Sequence, residues 1–166
     1  MEFERNRHYW ASCYSTEKFI LIETESGLGR TAVDPLFSPY FLSPEENDIK
    51  IGETVLKALG NSRLLVDQQD RALVFNLDNI EKNYKAWVTN LLNKYGYRSR
   101  RALFKDMRNC SIQATDGMLT ISPMHHDTLE GWEGTEGGQN DEVILSVDSP
   151  LVEIGEGLRL ALSRCT

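Results

Sequence analysis

The side chains best suited to chemistry in this sequence are His125, His126 and Asp127, three consecutive residues. Imidazole nitrogens ligate metals or move protons near neutral pH, and a neighbouring carboxylate could complete either arrangement. The spacing argues against that use. Adjacent residues on an extended chain point to opposite sides, no His-Glu-x-x-His pattern occurs, and no cysteine stands close by. A metal-dependent hydrolase built on His125, His126 and Asp127 is kept only as an alternative. The reading expects no metal, no cofactor and no enzymatic activity. Gly27-Leu28-Gly29-Arg30 lacks the third glycine and the following amphipathic helix of a dinucleotide site, so it reads as a turn, with Arg30 free to join an ion pair. Cys13, Cys110 and Cys165 have neither zinc-knuckle nor redox spacing and are expected to be reduced thiols, Cys110 in a structural place at a strand start.

Charge is the second source of function. The 166 residues carry a formal net charge of −7, which disfavours nucleic acid or an anionic membrane as partner for the whole surface. The distribution is uneven. Between Pro123 and Gly157 lie Asp127, Glu130, Glu133, Glu136, Asp141, Glu142, Asp148, Glu153 and Glu156, with no lysine or arginine among them. Such a segment can dock a basic protein, because complementary charge speeds association and rejects wrong partners. Trp132, between Gly131 and Gly134, is a candidate anchor in a flexible acidic loop. The candidate partner-binding residues are Asp127, Glu130, Trp132, Glu133, Glu136, Asp141 and Glu142. Lys82, Lys85, Lys94, Arg98, Arg100, Arg101, Lys105 and Arg108 make the stretch from 81 to 108 basic. A nucleic-acid-binding module using the segment 94–108 is the other alternative, set below a solvated helix face.

These residues need elements to hold them. His8–Tyr14 and Lys18–Thr24 read as a hairpin whose second strand, with Phe19, Ile20, Leu21 and Ile22, is covered on both faces. Ser43-Pro44-Glu45-Glu46 predicts a helix start, followed by Ile51, Val55, Leu56 and Leu59 on one face. Ile80, Tyr84, Trp87, Val88, Leu91, Leu92 and Tyr95 make a helical stripe over 78–95, with Asp78 as its cap and Gly96 as its stop. A shorter helix is expected over Ser99–Met107. Asp116-Gly117 predicts a tight hairpin turn within 110–122. Residues 123–141 read as loop, Glu142–Val147 as a strand, and the chain after Ser149-Pro150 as a final helix. Ile51-Gly52-Glu53 recurs as Ile154-Gly155-Glu156, each after a Ser-Pro and a hairpin, which suggests a weak internal repeat. The expected architecture is one α/β (α+β) domain over residues 1–166, with a mixed or antiparallel sheet of hairpins packed on amphipathic helices. A polar start and the lack of any run near the ~18 apolar residues of a membrane span predict neither export signal nor span.

An ordered set of segments also carries a family resemblance. Glu23-Thr24-Glu25-Ser26-Gly27-Leu28-Gly29-Arg30-Thr31, Tyr95-Gly96-Tyr97 through Arg101-Ala102-Leu103-Phe104-Lys105, and Cys110-Ser111-Ile112 come first. Thr120-Ile121-Ser122-Pro123-Met124-His125-His126, Leu129-Glu130-Gly131-Trp132, and Ile154-Gly155 through Leu160-Ala161-Leu162-Ser163-Arg164-Cys165 follow. In this the sequence resembles the CdiI immunity proteins of bacterial contact-dependent growth inhibition. The resemblance implies a bacterial cytoplasmic protein that binds the C-terminal toxin domain of a cognate CdiA-type effector, often a basic nuclease, in fixed stoichiometry and without turnover. It transfers no binding residues, since each immunity protein matches its own toxin. Residues 133–142, 34–50 and 64–76 are the expected places for private specificity.

Overall fold

The computed structural model describes residues 2–135 and 141–166. Two hairpins lie side by side in one antiparallel sheet. The first joins β1 (His8–Ser15) to β2 (Ile20–Leu28), and the second joins β5 (Arg108–Thr115) to β6 (Met118–Pro123). Strands β1 and β5 pair along their whole lengths, from His8 opposite Thr115 to Ser15 opposite Arg108. Short strands extend the sheet outward: β3 (Arg30–Val33) and β4 (Tyr40–Leu42) on β2, and β9 (Val143–Ser146) on β6. The path is β3-β2-β1-β5-β6-β9. Asp116 and Gly117 both adopt positive φ, 52° and 79°, as a two-residue type I′ hairpin turn requires.

Strand alternation divides the core in two. Tyr9, Ala11, Cys13, Ile20, Ile22, Ile112, Leu119 and Ile121 face helices α1 (Asp48–Asn61) and α5 (Leu151–Ser163). On the other face, Phe19 and Leu21 meet Val88 and Leu91 of α3 (Leu77–Tyr95) and Leu103 and Phe104 of α4 (Arg100–Phe104). β2 is thus covered on both sides, as its apolar run predicts. All three cysteines are buried, and the Cys110 sulfur lies 3.6 Å from that of Cys165.

The repeated Ile-Gly-Glu has a physical role. Ile51 and Ile154 are both fully buried. Gly52 faces the backbone oxygen of Leu151, and Gly155 faces that of Asp48; a Cβ would lie 2.1 Å and 2.0 Å from those oxygens. Leu151 stands four residues before Gly155, as Asp48 stands four before Gly52, so one contact is the other with the helices exchanged. The sheet shares this symmetry, with a hairpin, a short outer strand and a helix on each side of the β1–β5 border.

Several boundaries differ from expectation. Ser43 does not cap α1. It closes a turn, its carbonyl accepting from Glu46 N at 3.0 Å, and the cap is Asn47, whose side chain accepts from Lys50 N. Arg159 of α5 holds this turn by donating to Asp48 Oδ1, to Pro44 O and to Glu46 O. Asn76, not Asp78, caps α3 by accepting from Asn79 N at 3.0 Å. Residues 123–135 are not all loop: β7 (His125–Thr128) and β8 (Gly131–Glu133) form a separate two-stranded ribbon. Helix α2 (Gln68–Val74), β3 and β4 have no counterpart in the sequence reading.

Gly27-Leu28-Gly29-Arg30 does make a turn, between β2 and β3. Arg30 places its guanidinium over the Phe75 ring. The ion pair here is Arg63 on the fully buried Asp34, with Nε–Oδ2 at 2.7 Å and Nη2–Oδ1 at 3.0 Å. Ser26 Oγ donates to Asp34 Oδ2 at 2.6 Å and accepts from Arg63 N. Burial pushes the Asp34 carboxyl up, but Arg63, Ser26 and the Leu36 amide outweigh it and hold it below the usual range. Removing Asp34 takes the acceptor from the Ser26 hydroxyl and leaves the partly exposed Arg63 guanidinium with only Asp70, 3.8 Å away. Asp34→Ala is expected to cost about 3–5 kcal/mol in urea denaturation; a loss under ~1 kcal/mol would show that the network does not hold the β2–β3 end.

Candidate functional site

The ribbon accounts for the histidine pair. His126 sits between two carbonyl oxygens, with Nε2 2.7 Å from Met107 O and Nδ1 3.0 Å from Thr128 O. His125 Nδ1 is 2.6 Å from Thr166 Oγ1, and its Nε2 meets Thr135 Oγ1 and Asp141 Oδ2 at 3.0 Å and 3.3 Å. His126 Nε2, on Met107 O, and His125 Nδ1, on Thr166 Oγ1, thus tie the ribbon to the body of the fold, while His126 Nδ1 bonds within β7. Among the described residues no three His, Cys, Asp or Glu side chains are placed to share a metal ion. The Thr135 hydroxyl holds the Asp141 carboxyl below its ordinary range, helped by His125 and opposed by burial.

The acidic candidates separate into distinct environments. Glu130 accepts from Arg100 Nε at 3.0 Å and from Tyr84 Oη at 2.7 Å, joining the ribbon to α3 and α4. Glu142 accepts from Ser122 Oγ at 3.1 Å. Asp127 and Glu133 are exposed, and Glu136 lies outside the described residues. Trp132 belongs to β8 rather than to a loop. It is half-buried, with ring centroids 4.7 Å from His126, 5.6 Å from Tyr14 and 6.3 Å from Phe104. It therefore supports the acidic ribbon from beneath. In the basic segment, Arg98, Arg101 and Lys105 are exposed and Arg100 is held by Glu130.

A cavity of about 360 Å³ adjoins the ribbon, between β2, the chain that follows β3, and helices α2 and α3. Its walls include Tyr14, Val33, Phe37, Ile80, Tyr84 and Trp87. Tyr84, bonded to Glu130, belongs to both features, so ribbon and cavity form one surface. Three large apolar side chains of its lining stand exposed: Val33, Leu73 and Ile80. The segments 34–50 and 64–76, the expected places for private specificity, contribute Asp34, Pro35, Phe37, Pro39, Leu73 and Val74 to the lining.

One lining residue escaped the sequence reading. Glu23, in mid-β2, is only 3% exposed. Among the described residues its carboxyl has no hydrogen bond. Burial pushes this carboxyl up to about 8, and Glu25 adds to the rise. The Trp87 indole N–H offsets a little of this without reaching hydrogen-bond geometry. The available signal was an acid inside Phe19-Ile20-Leu21-Ile22-Glu23, a strand covered on both faces.

The frame is an antiparallel sheet with helices on both faces, carrying an acidic ribbon beside an apolar-rimmed cavity. Comparison with known proteins gives it a family. The model of CdiI, the CDI immunity protein, matches residues 9–165. The immunity protein CdiI-YPIII of Yersinia pseudotuberculosis serotype O:3 (strain YPIII) is 42% identical over 167 residues, 94% of each chain. A chain of the CdiA-CT/CdiI toxin and immunity complex from Yersinia pseudotuberculosis superposes with a TM-score of 0.89 at 39% identity, over 98% of this chain and 100% of that one. A protein of unknown function from Neisseria meningitidis, NMB0488, superposes with a TM-score of 0.91 at 41% identity over the full length of both. The chain belongs to the CdiI family of CDI immunity proteins. Among the described residues no helix is long and apolar enough to cross a membrane.

Proposed function

We propose that this chain acts in the bacterial cytoplasm by binding the C-terminal toxin domain of its cognate CdiA-type effector, one to one and without turnover, and that this toxin is a basic nuclease. The observation that carries the reading is the end-to-end correspondence with a chain of a CdiA-CT/CdiI complex. The surface offered for binding combines Asp127, Glu130, Glu133, Asp141 and Glu142 with the adjoining cavity; Glu136 remains a candidate from sequence alone. Trp132 stiffens its base. A nuclease must present positive charge to phosphate. A negative surface facing that groove excludes the nucleic acid and accelerates encounter.

The test is kinetic. Asp127→Lys, Glu133→Lys and Glu142→Lys together should slow association with the toxin domain about tenfold or more and flatten its dependence on salt. Stopped-flow mixing at several ionic strengths reads both. Unchanged association rates would remove the acidic ribbon from the binding surface.

A further inference from the structure

The cavity beside the ribbon has an acidic floor and no basic wall. Two acids line it, Glu23 and Asp34, and no lysine or arginine does. Asp34 is satisfied by Arg63, whereas Glu23 has no cationic partner among the described residues and is approached only by the Trp87 indole N–H. Arginines at the margins are committed elsewhere, Arg63 to Asp34 and Arg100 to Glu130. The walls nearest Glu23 are aromatic. Tyr14 and Trp87 meet edge to face with centroids 5.2 Å apart, and Tyr84 stacks on Trp87 at 5.9 Å. A carboxylate at the end of an aromatic, apolar-rimmed cavity is complementary to one kind of group: a cation on a flexible apolar stem. The stem lies along the apolar rim, the charge rests against the ring faces, and the carboxylate neutralises it. Exposed Val33, Leu73 and Ile80 at the mouth would keep water from the pair.

We propose that this cavity receives a single lysine or arginine side chain of the toxin domain, with Glu23 as its counterion and Tyr14, Tyr84 and Trp87 as its walls. The proposal rests on the toxin-binding function above and locates the selective contact at a residue apart from the acidic ribbon. It also explains why an uncompensated acid persists in the middle of a core strand: the acid completes its pairing only in the complex.

Glu23→Gln provides the test, because its two effects have opposite signs. Glutamine keeps the shape but cannot give up a proton to become the counterion of an incoming cation. Calorimetric titration with the catalytically inactivated domain of the cognate toxin should show Glu23→Gln binding about 30-fold weaker or worse than the parent. The same variant, alone, should unfold at no lower urea concentration. A residue with a merely structural role would lower both. Replacing each lysine and arginine of the toxin domain in turn by methionine should then reveal one position whose loss weakens the parent complex but adds nothing to Glu23→Gln. A parent protein that fails to bind the domain overturns the toxin-binding reading itself. Tight parent binding with Glu23→Gln within threefold of it overturns only the cavity proposal. So does a Glu23→Gln defect to which every basic position of the toxin still adds.

Discussion

Gly155→Ala is expected to destabilise the protein by about 3 kcal/mol, whereas Gly157→Ala, two residues along the same helix, should cost little. Both glycines are buried in α5, and in both cases alanine has the better helix propensity, by about 1 kcal/mol. Their neighbours differ. A Cβ on Gly155 would lie 2.0 Å from the Asp48 oxygen and 2.6 Å from its carbon, which are backbone atoms of α1. No rotamer change relieves that contact, so one helix must move away from the other. A Cβ on Gly157 first meets Leu145 Cδ1 at 2.8 Å, the end of a side chain that can turn aside. Gly52→Ala should behave like Gly155→Ala, because it presses on Leu151 O at 2.1 Å by the symmetric contact. Guanidinium unfolding of the three variants reads the order directly. Gly155→Ala within about 1 kcal/mol of Gly157→Ala would mean that the α1–α5 crossing is not the close backbone contact described here.

The second large effect is on the pH dependence of stability. Glu23 takes up its proton far more readily in the folded chain than in the unfolded one, with the carboxyl near 8 against an ordinary 4.5. The cause is first burial and then the Glu25 carboxylate on the same strand. From β1, Tyr14 faces it, and Tyr84 lies on α3; burial pushes both phenols up, so both stay neutral through this range. For an acid raised in this way, the folded state is fully favoured below the unfolded value. Stability then falls as pH rises from about 4.5 to about 8, and is level above that. At about 1.4 kcal/mol per pH unit, the parent should lose roughly 4 kcal/mol relative to Glu23→Gln between pH 5 and 8. The difference between the two proteins isolates Glu23 from every other titrating group. Parallel stability curves for the two would contradict the burial of an unpaired acid at this position.

What the sequence discloses, and what it hides, follows from the range of the interactions. Asp116-Gly117, the Trp87 stripe and the apolar run Phe19–Ile22 are local signals, and the elements they announce are present. Ser43 and Asp78 offer local cap chemistry as good as that of Asn47 and Asn76, so sequence alone does not choose between them; Arg159, from the far end of the chain, holds Ser43-Pro44 in a turn instead. β7 and β8 leave no periodic pattern in the sequence, because they are short and do not join the main sheet. Long-range bonds hold them, from His126 to Met107 O and from Glu130 to Arg100. Trp132 reads as an exposed anchor because glycines and acids surround it in sequence, yet Tyr14, Phe104 and His126 surround it in space. The two segments chosen for specificity, 34–50 and 64–76, could be marked as lying between recognisable motifs. That they meet around one cavity, over Glu23, is a property of the fold.

The most direct measurement is a titration of the purified cognate toxin domain with this protein, followed by the toxin's cleavage of nucleic acid and by the mass of the species formed. The account predicts that cleavage falls in proportion to added protein, reaches zero at one molar equivalent, and coincides with a one-to-one complex. Cleavage that persists at excess protein, or that vanishes at a small fraction of an equivalent as a catalyst would achieve, would contradict it.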